Sequence, residues 1–336
     1  AGSLFVIVGI MPLQGRFGFL QAVKGFVFCC RKTVDLFLAF LPVVINSGCM
    51  PFPHDIIFLF LCQNLRRLVY KETNVMLTDT HAHIYTAEFD DDRDEMLQRA
   101  ASKGIGAVFM PNIDSRSLPA MLSVADKYPW CHPMIGLHPC HVDGNFKAEL
   151  DIVERELGQG RYAGIGETGI DHYWDKTWMT EQEEAFRWQV AMARNSGLPV
   201  IIHSRESLEL TISIIREMQD GSLRGIFHCF NGTVDQGNEI LDLGFYMGIG
   251  GVITYKNAGV DKIVAGLPLE GMVLETDAPY LSPVPYRGKR NECSYLANIG
   301  QRLAEILEIS FEEMAETTSR NAARVFGATD HNVMVL

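Results

Sequence analysis

The stretch "MLTDTHAH", residues 76–83, decides the fold, because a short apolar run here leads directly into an aspartate and two histidines. Residues two positions apart on a strand face the same side, so the imidazoles of His81 and His83 point in one direction. Ala82 between them is small and faces the other way. The stretch therefore predicts a strand whose C-terminal end carries a pair of metal-binding side chains.

Seven further apolar runs follow, separated by segments with helical periodicity; they lie at 106–112, 132–139, 162–170, 199–205, 225–230, 245–251 and 272–279. Eight successive strand–helix units predict an α/β protein with the (β/α)8 TIM-barrel fold. A doubly wound sheet is the alternative, but it normally uses fewer strands. One of the helices is predicted to begin with a capping box at Thr180 and Glu183 and to stop at Gly197. The motif "SRNAARVFG" predicts a closing amphipathic helix that stops at Gly327.

Six chemically active residues occupy equivalent positions at the predicted strand ends: His81, His83, Glu167, His203, His228 and Asp277. The C-terminal ends of barrel strands form the face on which barrel enzymes build their sites. Four imidazoles and two carboxylates are enough donors for two divalent cations, and a carboxylate such as Glu167 can bridge them. A single histidine near a strand end is more often structural. The coincidence of six on one face favours a metal site.

The motifs "DTHAH", "GETGID", "IIHSR", "FHCFNG" and "ETDAPYL" occur in this order and resemble the TatD-type deoxyribonuclease family of metal-dependent hydrolases, which have amidohydrolase-like barrels. The resemblance covers about residues 76–327. It implies a (β/α)8 barrel with two metal ions, and the implied ligands are His81, His83, Glu167 and Asp277 for one ion and Glu167, His203 and His228 for the other. Family members are described as Mg-dependent DNases, often 3′-5′ exonucleases. The resemblance indicates Mg, whereas imidazole-rich ligation suits Zn or Mn better. The two divalent ions are therefore expected to be Mg, Zn or Mn.

Catalytic roles are expected for Asp277 and Glu167. Hydrolysis of a phosphodiester needs a nucleophile and neutralisation of the phosphate charge, and two divalent cations supply both. Asp277 is expected to orient and deprotonate the attacking water, with a plain ligand role as the alternative.

Candidate substrate contacts are His138, Arg205, Arg290 and Asn291. The alternative role for Arg205 is an ion pair with a neighbouring carboxylate. The loop that contains Arg290 can equally be a solvated face. Cys293 follows this loop, at a position where the resembled family usually has proline. His141 and Trp174 are candidates for stacking on bases, or for local packing.

The leading functional hypothesis is a nuclease that acts on single-stranded DNA or on DNA ends, because no helix or ribbon for reading a groove is evident. The alternative enzyme is a related barrel hydrolase that cleaves a small phosphoester, ester or amide. Such barrels often bridge their metals with a carboxylated lysine on strand 4, whereas this chain has Glu167 there. A non-catalytic scaffold predicts eroded ligands, and none of the six is eroded.

The composition divides the chain near Met76. The net charge of −12 excludes a general basic footprint for duplex binding, although bound metal ions can supply local positive charge. Residues 1–75 carry seven basic and three acidic residues, a net +4 against −16 for the remainder. Their apolar runs, "LFLAFLPVVI" and "IIFLFLC", are too short to span a bilayer. A membrane anchor and a targeting segment are two interpretations. The favoured one is a hydrophobic extension that is not a native folded domain, followed by the barrel at 76–330.

The eight cysteines form no C-x-x-C pair, which favours unpaired thiols in a cytoplasmic protein. We expect no stable membrane partner. The sequence is compatible with a monomer.

Overall fold

The computed structural model describes residues 76–327, which contain eight strands. The strands are β1 (Leu77–Asp79), β2 (Ile105–Pro111), β3 (Cys131–Met134), β4 (Ile165–Asp171), β5 (Val200–Arg205), β6 (Gly225–Phe227), β7 (Phe245–Ile249) and β8 (Met272–Leu274). Each predicted run overlaps one of them, so the prediction of eight strands is confirmed.

The strands follow one another around the molecule in chain order, and every pair is parallel. The strands β1–β2–β3 form one hydrogen-bonded set and β4 to β8 form another. A bridge between Ile135 and Ile165 joins β3 to β4, and a bridge between Ala82 and Ala278 joins the end of β1 to the end of β8. These two bridges close the ring, and the predicted (β/α)8 TIM barrel is confirmed.

Nine helices in the described part of the chain surround the strands: α1 (Arg93–Ser102), α2 (Leu118–Lys127), α3 (Phe146–Leu157), α4 (Met179–Ser196), α5 (Leu208–Met218), α6 (Val234–Asp242), α7 (Val260–Val264), α8 (Leu296–Leu307) and α9 (Phe311–Phe326). Their apolar faces are buried together with the strands, for example Phe186 of α4 and Ile212 of α5, both fully buried. This burial is the main favourable contribution to the stability of such a fold.

The helix ends test two local predictions. Gly197 and Gly327 follow α4 and α9 with φ of +68° and +76°, the left-handed conformation in which helices commonly stop. Both predicted stops are confirmed. The capping box at Thr180 is wrong, because α4 begins at Met179 and Thr180 lies inside the helix.

Strands β1 and β8 are shorter than predicted, because their backbones leave regular pairing where polar side chains gather. Asp79 is the last residue of β1, and its carboxylate accepts hydrogen bonds from the backbone N–H and the hydroxyl of Thr276, at 2.9 and 2.7 Å. Asp79 is fully buried, and this burial raises its pKa to about 7. The bonds tie the end of the first strand to the segment that follows the last strand.

The predicted extension 1–75, and the last residues of the predicted 76–330 barrel, lie outside the described residues. Within 76–327, none of the helices combines the length and the apolar character that crossing a membrane requires.

Candidate metal centre

All six candidate ligands meet at the C-terminal mouth of the barrel. His81 and His83, just past β1, place their Nε2 atoms 3.2 Å apart. Both atoms face Oε2 of Glu167, in β4, at 3.1 and 3.2 Å. Oδ1 of Asp277, past β8, lies 3.8 Å from each of the two nitrogens. Four donor atoms from three separate strands thus surround one point.

The other oxygen of Glu167 faces a second group of imidazoles. Its Oε1 lies 2.9 Å from Nδ1 of His203 on β5, 3.4 Å from Nε2 of His138 and 4.0 Å from Nε2 of His228 past β6. The carboxylate is buried, which favours its neutral form, but His138 and His81 outweigh this and keep the pKa of Glu167 well below its usual value. Glu167 is therefore an anion that separates two clusters of nitrogen donors, as a bridging ligand would.

The ring orientation of His83 identifies the atom that it offers. Nδ1 of His83 lies 3.1 Å from the hydroxyl of Tyr85, and that hydroxyl donates its own proton to the carbonyl of Pro111 at 2.6 Å. Nδ1 must then be the donor, and in the neutral ring Nε2 carries only a lone pair. A bare lone pair facing the Glu167 carboxylate at 3.2 Å is repulsive unless a second proton or a metal ion lies between them. This arrangement fits a metal ion.

The contacts of His203 also fit a metal ion, at the second cluster. Its Nε2 contacts Oδ2 of Asp171 at 3.0 Å, while its Nδ1 contacts Oε1 of Glu167 at 2.9 Å. An imidazole between two carboxylates needs either two protons or one proton and a metal ion. Burial lowers the pKa of His203, but the bonds to Asp171 and Glu167 outweigh it and raise that pKa. Asp171 thus contacts a candidate ligand, and it also accepts hydrogen bonds from the backbone of the loop after β4.

His81 is ready to act as a neutral donor. Burial, together with the neighbouring His228, lowers its pKa to about 3. Its ring stacks on that of His228 with centroids 3.6 Å apart. A neutral imidazole is the form that binds a metal.

Glu275 is a buried carboxylate of the site that the sequence analysis missed. Its Oε1 lies 3.0 Å from Nδ1 of His228, off the line of a hydrogen bond, and accepts a bond from the backbone N–H of Cys229 at 2.6 Å. A Cβ at Gly248 would lie 2.2 Å from its Oε2, so the glycine makes room for it. Burial lowers the pKa of His228, but Glu275 and Asp277 outweigh it and raise the pKa to about 10. The sequence signal that could have identified Glu275 was its position two residues before Asp277.

His138 faces Glu167 with a different tautomer. Its Nδ1 accepts a hydrogen bond from the backbone N–H of Cys140 at 3.0 Å, so in the neutral ring the proton is on Nε2. Burial lowers the pKa of His138 and favours this neutral form. An Nε2–H group donates a hydrogen bond and has no lone pair for a metal. His138 is close enough to join the ligand cluster, but its tautomer makes it a hydrogen-bond donor and not a metal ligand.

A cavity of about 680 Å³ opens above these residues, within the range of small-molecule sites. Arg205 lines it, and among residues 76–327 no carboxylate lies within ion-pair distance of its guanidinium. The alternative of an ion pair with a neighbouring carboxylate therefore receives no support. Asp277 also lines the cavity, and burial raises its pKa to about 6 although His228 and His83 lower it.

Arg290 and Asn291 are placed differently from the other candidates. Arg290 pairs with Asp92 through two contacts of 2.6 and 2.8 Å. Asn291 is fully buried and donates to the carbonyls of Thr276 and Tyr280. Neither is among the residues that line the cavity. Their role as substrate contacts stays a prediction, and their contacts favour support of the loop after β8.

Comparison with known proteins points to one family. The family model described as TatD related DNase matches residues 78–327. The uncharacterized metal-dependent hydrolase YabD of Bacillus subtilis is 35% identical over 252 residues, which cover 75% of this chain and 99% of YabD. A 3′-5′ ssDNA/RNA exonuclease TatD of Cronobacter sakazakii is 30% identical over 255 residues, 74% of this chain and 97% of that protein. The crystal structure of YjjV, a TatD homologue of Escherichia coli, superposes with a TM-score of 0.72 at 27% identity and covers 76% of this chain and 100% of YjjV.

Proposed function

This chain belongs to the TatD related DNase family of metal-dependent hydrolases, and from that premise we propose that it hydrolyses phosphodiester bonds at the ends of single-stranded DNA. The observation that carries the metal requirement is the lone pair of His83 Nε2, which faces the Glu167 carboxylate at 3.2 Å. The neutral imidazole cannot relieve this contact by moving its proton from Nδ1 to Nε2, since Tyr85 fixes the tautomer.

Two divalent ions are proposed on opposite sides of Glu167. His81, His83 and Asp277 would complete one set of donors with Oε2, and His203 and His228 would complete the other with Oε1. When bound, such ions would activate a water molecule and neutralise charge on the phosphate oxygens. Imidazole-rich donors favour Zn or Mn, and Mg remains a candidate because of the family.

Asp277 is proposed as the group that receives the proton of the attacking water. Its oxygens lie 3.8 to 4.0 Å from the imidazoles of His81, His83 and His228, whereas Glu167 approaches to 3.1 Å. It is thus the less tightly engaged carboxylate, and it faces the cavity. A general base must reach the proton that it removes, and Asp277 is placed to do so.

His138 and Arg205 are proposed to hold the scissile phosphate. Nε2–H of His138 faces Oε1 of Glu167 at 3.4 Å, and His138 lines the cavity. With a substrate bound, this N–H would donate to a phosphate oxygen. Arg205 lines the same cavity and has no carboxylate within ion-pair distance among residues 76–327, and guanidinium groups suit phosphate oxygens. Together they provide local attraction for an anionic substrate in an acidic chain.

The end of a single strand is favoured over the body of a duplex by the size of the cavity, which is that of a small-molecule site. The relative from Cronobacter sakazakii is named a 3′-5′ ssDNA/RNA exonuclease, which supports removal of nucleotides from the 3′ end.

The test is an assay of the full chain after chelation and separate reconstitution with Mg, Mn and Zn. Substrates are single-stranded DNA labelled at either end, the matching RNA and duplex, and a panel of small phosphoesters, carboxylic esters and amides. We expect metal-dependent shortening of the single strand from its 3′ end, with Asp277→Asn at least a hundredfold slower, the size typical of losing a general base. Cleavage of the panel without cleavage of DNA would replace this proposal with a small-substrate hydrolase.

A further inference from the structure

Two exposed aromatic side chains form a wall beside the metal centre. Tyr173 and Trp174, in the loop after β4, are 47% and 67% exposed, unusually open for rings of this size. Their rings meet edge to face with centroids 4.9 Å apart. Trp174 lines the cavity. Exposed aromatic groups at the rim of a polar site point to a ligand with a flat apolar part.

Arg205 connects this wall to the site. Its guanidinium carbon lies 4.0 Å from the ring centre of Tyr173 and 5.1 Å from that of Trp174. Within the described range, residues 76–327, this charge lies against the aromatic pair and has no carboxylate partner, so it is available to an anion. Flat rings beside such a cation match the base and the phosphate of one nucleotide.

The wall is held in a fixed position relative to a candidate ligand. Oδ1 of Asp171 accepts bonds from the backbone N–H groups of Tyr173 and Trp174 at 2.9 and 3.0 Å. Oδ2 of the same carboxylate contacts His203 at 3.0 Å. One side chain thus sets the distance between the aromatic pair and the second metal cluster.

A second apolar group faces the cavity from the loop after β8. Tyr280 and Leu281 are 48% and 40% exposed, and both line the cavity. The ring of Tyr280 lies 6.0 Å from that of His83. The site therefore has one apolar wall next to His203 and another next to His83, with the carboxylates between them.

We infer that the wall of Tyr173, Trp174 and Arg205 stacks against an unpaired nucleobase next to the scissile phosphate, so that the protein recognises a strand by its bases as well as by its backbone. This inference rests on the proposed function, because it names the substrate feature that the same site reads. Stacking accepts any base, since each has a flat face. A paired base keeps that face inside the duplex, so the wall selects for unpaired ends.

The test compares two oligonucleotides, one ordinary and one whose last three nucleosides at the cleaved end are abasic. The full chain, reconstituted with metal, is assayed as Trp174→Ala, Trp174→Phe and the control Trp188→Ala. Trp188 lies on α4, is 36% exposed and is not among the residues that line the cavity. We expect the preference in kcat/KM for the ordinary strand to fall about tenfold in Trp174→Ala, to recover largely in Trp174→Phe and to stay native in Trp188→Ala.

A binding measurement distinguishes the base contact from the proposed function. It uses a labelled single strand with phosphorothioate ends, in the presence of the same metal ion. A loss of affinity in Trp174→Ala supports the base contact even if the native protein fails to cleave DNA, which would overturn only the proposed function. An unchanged preference and affinity in Trp174→Ala would overturn the inference, as would equal losses on ordinary and abasic strands.

Discussion

The hydroxyl of Tyr85 lies 3.1 Å from Nδ1 of His83 and donates a hydrogen bond to the carbonyl of Pro111. This relationship fixes which nitrogen of His83 faces Glu167. Tyr85 contacts the site through the imidazole of His83 and is not among the residues that line the cavity.

Tyr85→Phe should therefore weaken metal binding while keeping the buried ring. We expect metal affinity to fall about 10–100-fold, as is typical for loss of a group that orients a metal-binding histidine. Titration with a competing chelator measures it. Tyr162→Phe is the matched control, because Tyr162 is also buried and bonded, to Glu156, away from the site. Equal affinity in the two variants would show that the tautomer of His83 does not depend on Tyr85.

Glu167→Gln should remove both ions, whereas His83→Ala should remove mainly one. Both oxygens of Glu167 face imidazoles, so the loss of its charge affects both clusters. His83 contacts only the Oε2 side. Metal content of the dialysed proteins, measured by mass spectrometry, gives the stoichiometry. Full occupancy of both sites in Glu167→Gln would exclude a bridging role.

Arg205→Ala should make binding of single-stranded DNA less sensitive to salt. One lost phosphate contact reduces the slope of log K against log salt by about 0.7 for a single strand. Arg290→Ala serves as comparison, because Arg290 is paired with Asp92, and we expect its slope to stay native. A native slope for Arg205→Ala together with a reduced one for Arg290→Ala would restore Arg290 as the phosphate contact.

Asp92 should contribute stability that disappears in acid. Hydrogen bonds from Arg290 lower its pKa to about 2 from 3.8, so the folded state binds the proton less readily than the unfolded state. The contribution is present above about pH 4 and is lost as the pH falls towards 2. The Tm difference between the native protein and Asp92→Asn should therefore shrink on acidification. Asp91→Asn, at an exposed neighbouring position, should show no such trend, and a constant difference for Asp92→Asn would contradict the assignment.

The barrel could be predicted from sequence because each buried strand is a separate apolar run, and its order along the chain is its order around the ring. The candidate ligands could be found because they recur at equivalent strand ends. Glu275 and Tyr85 were missed because their importance depends on the direction of a neighbouring side chain, which periodicity does not contain. Arg290 illustrates the same limit, since its partner Asp92 is 198 positions away.

Strand ends were overestimated for a related reason. The predicted runs continue past β1 and β8 into mostly polar residues, and Asp79 and Thr276 form side-chain hydrogen bonds there. Regular pairing stops where the polar mouth begins.

The bonds between Asp79 and Thr276 join positions 197 residues apart. A nascent chain on the ribosome that has not yet emerged as far as Thr276 cannot close the ring, and it lacks Asp277 beside His81 and His83. Prematurely terminated products and fragments cut within the barrel share this deficit. The candidate donor set is thus assembled only when the last strand has been made, and incomplete copies of the chain lack it.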